Sequence, residues 1–396
     1  MNTPTSDYLI HQAVYAKKLR PLLPKKAFEP DSSKLIVLLV NAAILLVGWG
    51  IAAQLDHWPK ALLWLYLPFA VVMGNCVITL LFVGHDMMHG SVIRNRRLVR
   101  VITLFSQAVL WMPPTLWKHI HNQTHHNRTN SLKDPDRNFL YREPNSLGKR
   151  AQDIITPSST VTVPGLMLGM LTAWSLYTLR HVIAVLFFSQ KECPHVPAQV
   201  TVKPAERFQI AAEFAFIVVL HLSLLAYLRF DPIKLILAYF LPIGLGYGGM
   251  IFYIYTNHLF CRMTSINDPL VNSVSLKVPK FFDLLHCNFS YHTEHHIFPG
   301  LNSDYYPLVR ESLAKLYPER MRYVMTVKEA WQLLLTTPRH YLTETMFTDW
   351  NGIERVSCPR LIPSSENYRQ SMDKENRGTS CIGTEKIAKP SSLVDK

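Results

Sequence analysis

The sequence predicts an all-α integral membrane protein: four transmembrane helices in two hairpins, with a cytoplasmic helical cap that carries a metal site. Three observations predict it. The 396-residue chain is 48% hydrophobic and only 17% charged, with a mean hydropathy of +0.08, high for a soluble protein. Four stretches reach the length of about 20 apolar residues that a bilayer requires. Eight histidines gather in three clusters, each just outside an apolar stretch.

The first stretch, Leu35 to Leu55, and the second, Ala61 to Gly84, carry no charge. Only Asp56-His57-Trp58-Pro59-Lys60 lies between them, enough for a hairpin turn. The third, Phe208 to Leu228, contains Glu213 and His221; the fourth, Leu235 to Tyr255, is uncharged and rich in glycine. Arg229 to Lys234 joins this pair just as tightly. Two hairpins put the N-terminus, the segment from His85 to Arg207 and everything after Asn257 on one side. Lys17, Lys18, Arg20, Lys25, Lys26, Arg94, Arg96, Arg97 and Arg100 lie there, which marks that side as cytoplasmic. All three histidine clusters then face one compartment.

Two further apolar stretches are read differently. Leu98 to Met112 contains Arg100 and is about one third shorter than a comfortable span, so it is expected to be re-entrant or interfacial. Val161 to Phe188 is long enough to cross, but Pro164 interrupts its start and Arg180-His181 its middle. A crossing there would also separate the third cluster from the first two. It is therefore expected to lie along the interface.

The organisation that follows is a cytoplasmic N-terminal segment (1–34), a membrane domain (35–310), a small helical cytoplasmic extension (311–356) and a tail (357–396). The tail is rich in Ser, Lys, Glu, Asn, Gly and Pro without apolar periodicity, and is expected to be disordered. The first thirty residues lack the apolar core of a cleaved secretory signal. Six scattered cysteines without a CxxC pair suggest neither a disulfide framework nor a zinc ribbon. The net charge of +13 comes with no basic motif interleaved with aromatics, so nucleic acid is not an expected partner. Cations retained on the cytoplasmic side explain it better.

The clusters carry the chemistry. His85 and His89 are four residues apart, which on a helix puts both rings on one face at the cytoplasmic end of the second span. His121 and His125 repeat the spacing, with His126 adjacent; His292 and His296 repeat it again, with His295 between. Neutral imidazole is the commonest ligand for mid-row transition metals. One such pair alone is more often a heme, zinc or purely structural pair. Eight nitrogens in three boxes are too many for one tetrahedral zinc, and the lack of thiolates argues against an iron–sulfur cluster. Two ions sharing the eight ligands fit better, and iron is the choice if dioxygen is to be activated.

At these residues the chain resembles the membrane fatty acid desaturases. Gly84-His85-Asp86-Met87-Met88-His89-Gly90-Ser91 looks like their first histidine box, and Trp117 through His121-Asn122 to His125-His126-Asn127-Arg128-Thr129-Asn130 like the second. His286 to Pro299 looks like the third, with the typical HxxEHHxFP ending. The likeness covers roughly residues 35–310. One departure is the second box, HxxxHH here where many acyl-lipid members have HxxHH. The resemblance implies a non-heme diiron oxidoreductase. It would use O2 and two electrons from ferredoxin or cytochrome b5 to introduce a double bond into a fatty acyl chain, carried on a lipid, on CoA or on a carrier protein. No HPGG heme motif is present, so the donor is expected to be a separate protein.

The resemblance also adds candidate residues. His258, at the end of the fourth span, and His286, six residues before His292, are possible further ligands. Asp86, Asn122, Asp134, Asp136 and Glu294 are candidates to accept the second N–H of ligating histidines. The substrate must enter from the membrane, so Cys76, Thr79, Leu80, Gly248 and Phe252, on the second and fourth spans, are expected tunnel walls. A carotenoid hydroxylase or ketolase shares this architecture and is the alternative enzyme. A non-enzymatic membrane metal-binding or transport protein is the alternative of another kind. Transporters place ionisable groups near the bilayer midplane, whereas these histidines lie beyond the span ends.

Overall fold

The computed structural model describes residues 9–135, 146–155, 161–188, 200–318, 320–321 and 324–358. After α1 (Gln12–Leu19), the apolar stretches become α2 (Lys34–Ala53) and α3 (Tyr66–Met88), followed by α4 (Arg96–Ala108) and, further on, α5 (Ser146–Ile155). Then come α6 (Val163–Phe187), α7 (Pro204–Tyr227) and α8 (Leu241–His258). Among the described residues, five helical segments are long and apolar enough to cross a membrane: Lys34–Ala53, Lys60–Met88, Val163–Phe187, Pro204–Tyr227 and Pro232–His258. Four of these are the spans expected from the sequence; the fifth, Val163–Phe187, is the stretch read there as long enough to cross but expected to lie along the interface.

The physical reason is plain in α6. Pro164 stands at the start of the helix, where its missing N–H costs nothing. Arg180 and His181 are buried rather than facing lipid: Arg180 Nη2 donates to Pro135 O at 3.3 Å, and His181 Nδ1 donates to Tyr177 O at 2.9 Å. Neither feature breaks the helix, because each polar group has a partner inside the protein.

Helices α2 and α7 expose apolar side chains over much of their length, for example Leu39 at 64% and Leu46 at 65%. Contiguous apolar surface of this kind needs a lipid or protein neighbour. Helix α3 is buried along most of its length, between α2, α4 and α8. Two glycines permit the α3–α8 approach: a Cβ on Gly74 would sit 2.8 Å from Leu245 Cβ, and one on Gly246 would sit 2.7 Å from Val77 Cβ. At the far ends, Lys234 reaches Asp56 at 2.5 Å and joins the two hairpin turns.

Helix α4 ends inside the bundle. Its last carbonyls, orphaned by helix geometry, take side-chain donors from three neighbours: His221 Nε2 to Ala108 O (2.8 Å), Tyr247 OH to Val109 O (3.2 Å) and Trp174 Nε1 to Leu110 O (2.8 Å). The chain reverses at Trp111 (φ 57°) and re-enters a helix at Pro114. This helix opens with an α turn (Pro114–Trp117), passes through a π-helical stretch (Lys118–His125) and closes at His126–Arg128. Glu213, buried in α7, caps its start by accepting from Thr115 N at 2.9 Å and from Thr115 Oγ1 at 2.7 Å.

The remaining elements gather around the histidine layer. They are α9 (Lys280–Leu285), α10 (His292–Ile297), α11 (Tyr306–Leu316) and α12 (Val327–Thr336). A short parallel pair, β1 (Leu276–Lys277) and β2 (Met325–Thr326), ties two of the connecting segments. The N-terminal segment belongs to the same core: Tyr15, Leu19 and Ala27 pack with Ile297, Leu301, Val309 and Leu313. Residues 311–356 are not purely helical as expected. After α12 they form an antiparallel sheet in the order β3 (His340–Tyr341), β4 (Met346–Thr348), β5 (Arg355–Ser357). Strands of two or three residues are too short to show a period of two. The tail expected to be disordered falls, from residue 359 onward, outside the described residues.

Candidate metal centre

The three boxes converge although they come from separate elements. His85 and His89 end α3, one helical turn apart, with ring centroids 4.7 Å from each other. His121, His125 and His126 sit on the π-helical stretch and its closing turn. Wider π winding matters here. It lets residues five apart share a face, so His121 and His126 bring their Nε2 atoms to 3.1 Å, while His121 and His125 remain stacked at 5.2 Å. Helix α10 presents His292, His295 and His296, and α8 ends on His258.

These side chains divide into two adjoining groups. In the first, the donor atoms of His85, His89, His121, His126 and His295 all lie within 4.8 Å of one another. His85 Nε2 is 2.9 Å from His121 Nε2, and His126 Nε2 is 3.1 Å from His295 Nε2. In the second, His125, His258 and His296 gather equally closely. His292 joins them, its Nε2 2.6 Å from His258 Nε2 and 3.1 Å from His296 Nε2. The rings of His126 and His296, 4.5 Å apart, form the shared wall.

Hydrogen bonds on the far side of the rings decide what the converging nitrogens can do. His125 Nδ1 donates to both carboxylate oxygens of Asp134, at 3.0 and 3.1 Å. His85 Nδ1 donates to Asp86 Oδ1 at 3.2 Å, and His258 Nδ1 to Asn272 O at 3.0 Å. Acceptors at Nδ1 put the proton there and leave Nε2 as a bare lone pair. His295 Nδ1 contacts Tyr306 OH (2.9 Å) and His296 Nδ1 contacts Thr129 Oγ1 (3.3 Å). Burial first, and neighbouring histidines second, hold His89, His121, His126, His292, His295 and His296 well below the ordinary imidazole range, so they are neutral at pH 7.

Lone pairs facing one another at this range repel, and a cation between them resolves the repulsion. Two nitrogens about 2.1 Å from a shared ion, at angles of about 90–110°, are roughly 3.0–3.4 Å apart. The observed spacings are close to that. The donor set therefore fits nitrogen-ligated transition metal ions, one in each group.

Several candidates fall elsewhere. His286 stands apart from both groups, with Nδ1 at 2.9 Å from Tyr253 OH and Nε2 at 3.1 Å from Asn75 Oδ1. Asn122 donates to Met88 O at 3.1 Å, which fixes the end of α3 rather than a ring. Glu294 accepts from Arg310 Nε at 2.7 Å and Ser275 Oγ at 2.6 Å, locking α10 to α11 and β1. Asp136 lies outside the described residues. Of the carboxylates, Asp86 and Asp134 touch histidine rings. The sequence did not single out Tyr306 or Asn272, and Trp117, which stacks on His121 at 4.6 Å, entered only as the start of the second box. Trp117 and Thr129 stand four residues from His121 and His125, a helical spacing that could have singled them out. Nothing in the sequence links Tyr306 or Asn272 to a ring.

An apolar cavity opens against the metal groups. Five histidines (85, 121, 125, 258 and 292) form one end, and Trp117, Trp174, Tyr177, Met250, Ile251 and Ile254 are among its walls. None of Cys76, Thr79, Leu80, Gly248 or Phe252 lines it. Helix phase explains this on α3, and packing against neighbouring elements explains it on α8. Thr79 turns towards Leu285 O (3.2 Å), a Cβ on Gly248 would meet Leu171, and Phe252 stacks on Trp331 at 5.0 Å. The wall residues on α3 and α8 are instead Leu81, Met250, Ile251 and Ile254.

Asp134 gives a direct test of the ring anchoring. Asp134→Asn keeps the shape but weakens the charge-assisted hold on His125. Metal affinity or turnover is expected to fall by about 10- to 100-fold, the usual effect of losing such a partner. Metal titration of the purified variant checks it, and an unchanged affinity and rate would remove Asp134 from the site.

The profile of the fatty acid desaturase family matches residues 61–327. Two curated proteins are similar over shorter stretches, both described as sn-1 acyl-lipid omega-3 desaturase (ferredoxin). The one from Synechocystis sp. is 29% identical over 117 residues, 29% of this chain and 31% of that protein. The one from Nostoc sp. is 26% identical over 139 residues, 34% of this chain and 36% of that protein. The chain thus spans about a third of the length of the curated relatives it matches.

Proposed function

The chain belongs to the fatty acid desaturase family, and from that premise we propose that it introduces a double bond into a lipid-bound fatty acyl chain, with two iron ions, O2 and electrons from a separate ferredoxin. The observation that supports this most directly is the abutment of two imidazole groups on one apolar cavity. Iron bound there supplies the oxidant that methylene C–H bonds demand, since they offer no acid–base handle. The chain's own residues do the rest. Asp86 and Asp134 hold protons on Nδ1 of His85 and His125 and so aim bare Nε2 atoms inward. Trp117, Trp174, Tyr177 and the α8 side chains shape a slot that excludes water and fixes which carbons reach the metal end. The lipid carrier and the ferredoxin are taken from the relatives' descriptions.

In the proposed topology four helices cross the bilayer, the metal centre lies on the cytoplasmic face, and α6 lies along the histidine layer. Two contacts of α6 support that placement. A Cβ on Gly169 would sit 3.2 Å from Ile154 O, and this same carbonyl accepts from Tyr255 OH, near the metal end of α8. Eleven residues on, Arg180 reaches Pro135 O, next to the Asp134 that holds His125. A helix rising about 1.5 Å per residue away from the layer would be roughly 16 Å off by then.

Co-expression with ferredoxin in a heterologous host, followed by gas chromatography of total fatty acids, tests the activity. A new cis double bond in an acyl chain is expected. Unchanged fatty acids together with hydroxylated or ketolated carotenoids would move the chain to that other chemistry. A product made only from acyl-CoA, or only with cytochrome b5, would overturn the carrier and the donor.

A further inference from the structure

The segment leading to the third box does not stay level with the other boxes. We propose that residues 279–289 form a re-entrant wedge whose tip, Phe281, Phe282 and Leu284, is immersed in the acyl-chain region of the bilayer leaflet nearest the metal centre. This rests on α3 and α8 crossing the membrane, as read above.

Two helices measure its depth independently. Leu285 O accepts from Thr79 Oγ1 at 3.2 Å, and His286 Nε2 stands 3.1 Å from Asn75 Oδ1. Thr79 and Asn75 precede His85 on α3 by six and ten residues, or about 9 and 15 Å at the helical rise. His286 Nδ1 also meets Tyr253 OH at 2.9 Å, and Tyr253 precedes His258 on α8 by five residues, about 7.5 Å. Both lines put the base of α9 well below the histidine layer, inside the length of helix that the hydrocarbon covers.

The chemistry of the segment suits that depth. Phe281, Phe282 and Leu284 are 64%, 43% and 77% exposed, an apolar tip left uncovered by the described residues. Its polar atoms turn inward. Asp283 accepts from Ser290 Oγ, and the backbone carbonyl of Asp283 accepts from Asn288 N at 2.8 Å. Leu285 O is taken by Thr79, so the backbone at the base of the wedge has partners, the condition for irregular chain at membrane depth. Lys277 and Lys280 are exposed at the entrance, where their ammonium groups can reach lipid phosphates. Cys287 (φ 52°) and Asn288 (φ 57°) turn the chain back. Phe289 then stacks on Phe82 at 3.8 Å and stands 5.5 Å from His85 and 5.3 Å from His292. The wedge thus couples the bilayer to the position of the third box.

The test uses the full chain in phosphatidylcholine vesicles doped with either of two photoactivatable lipids, one with a diazirine midway along an acyl chain and one with it on the headgroup. Labelled residues are mapped by mass spectrometry, with Leu39 and Leu46 of α2 as references. The acyl probe is expected to label Phe281, Phe282 or Leu284 as strongly as the references, and the headgroup probe to label around Lys277 and Lys280. Labelled references with a tip reached only by the headgroup probe, or by neither, overturn the wedge alone. References that also escape the acyl probe overturn the reading of the spans, and the wedge with it.

Discussion

Replacing His125 or His296 with alanine is expected to abolish the proposed double-bond formation and to lower bound iron from the proposed two ions per chain, about one of them being lost. Both residues belong to the group completed by His258 and His292, while His85, His89, His121, His126 and His295 form the other. Loss of one nitrogen leaves the smaller group with three, and the vacated space lies in a buried site where lone pairs already face each other at 2.6–3.2 Å. A lost partner of a ligand costs about 10- to 100-fold, so a lost ligand costs more. Elemental analysis of the purified variants separates partial from complete loss of iron. His286→Gln is the control. Its ring bonds to Tyr253 and Asn75, outside both groups, so iron is expected to stay at the wild-type level. Full iron and activity in both alanine variants would exclude His125 and His296 as ligands. One zinc per chain in the wild type would undo the redox reading.

How much of this was legible in the sequence depends on how local each feature is. The histidine boxes were legible because spacings of three and four residues on a helix dictate a shared face, and all eight box histidines do meet, His121 and His126 through the π winding. His258 was within reach because it ends a span on the side of the boxes. His286 deceived because it sits near the third box in sequence, whereas the fold sends residues 279–289 downward before the box begins. The partners of the rings divide the same way. Asp86 and Asp134 lie within nine residues of the histidines they hold. Tyr306 and Asn272 are brought in by tertiary packing alone, eleven and fourteen residues from theirs along turns that no periodicity describes. The long apolar helices were legible by length, but the relation of α6 to the bilayer was not. Arg180 and Pro164 look like interruptions until their neighbours are known.

Position along the cavity decides the second large effect. Ala173→Phe is expected to shift the position of the new double bond or shorten the accepted acyl chain, with iron content unchanged. Ala173 lies on the cavity wall beside Trp174 and Tyr177, so an added ring projects into the space proposed for the substrate. It touches no histidine bond described above, which is why iron stays. Gly248→Trp, at a position expected from the sequence to line the tunnel, is expected to act differently. A Cβ at Gly248 already stands 3.4 Å from Leu171 Cδ2 on α6, so an indole there wedges α6 from α8. Overpacking of this kind costs about 1–3 kcal/mol and lowers thermal stability without selecting among products. Gas chromatography with mass spectrometry of derivatised fatty acids locates the double bond in each case, and melting in detergent reports stability. An Ala173→Phe enzyme with the wild-type product pattern at normal rate would mean that the acyl chain does not occupy this cavity. A Gly248→Trp enzyme that folds normally but changes the product would extend the tunnel along α8, past Ile251 to the level of Gly248. The two variants thus report how far along α8 the acyl chain reaches: Ala173 lies on the wall of the cavity whose metal end is formed by His125 and His258, whereas Gly248 lies ten residues before His258 and beyond that wall.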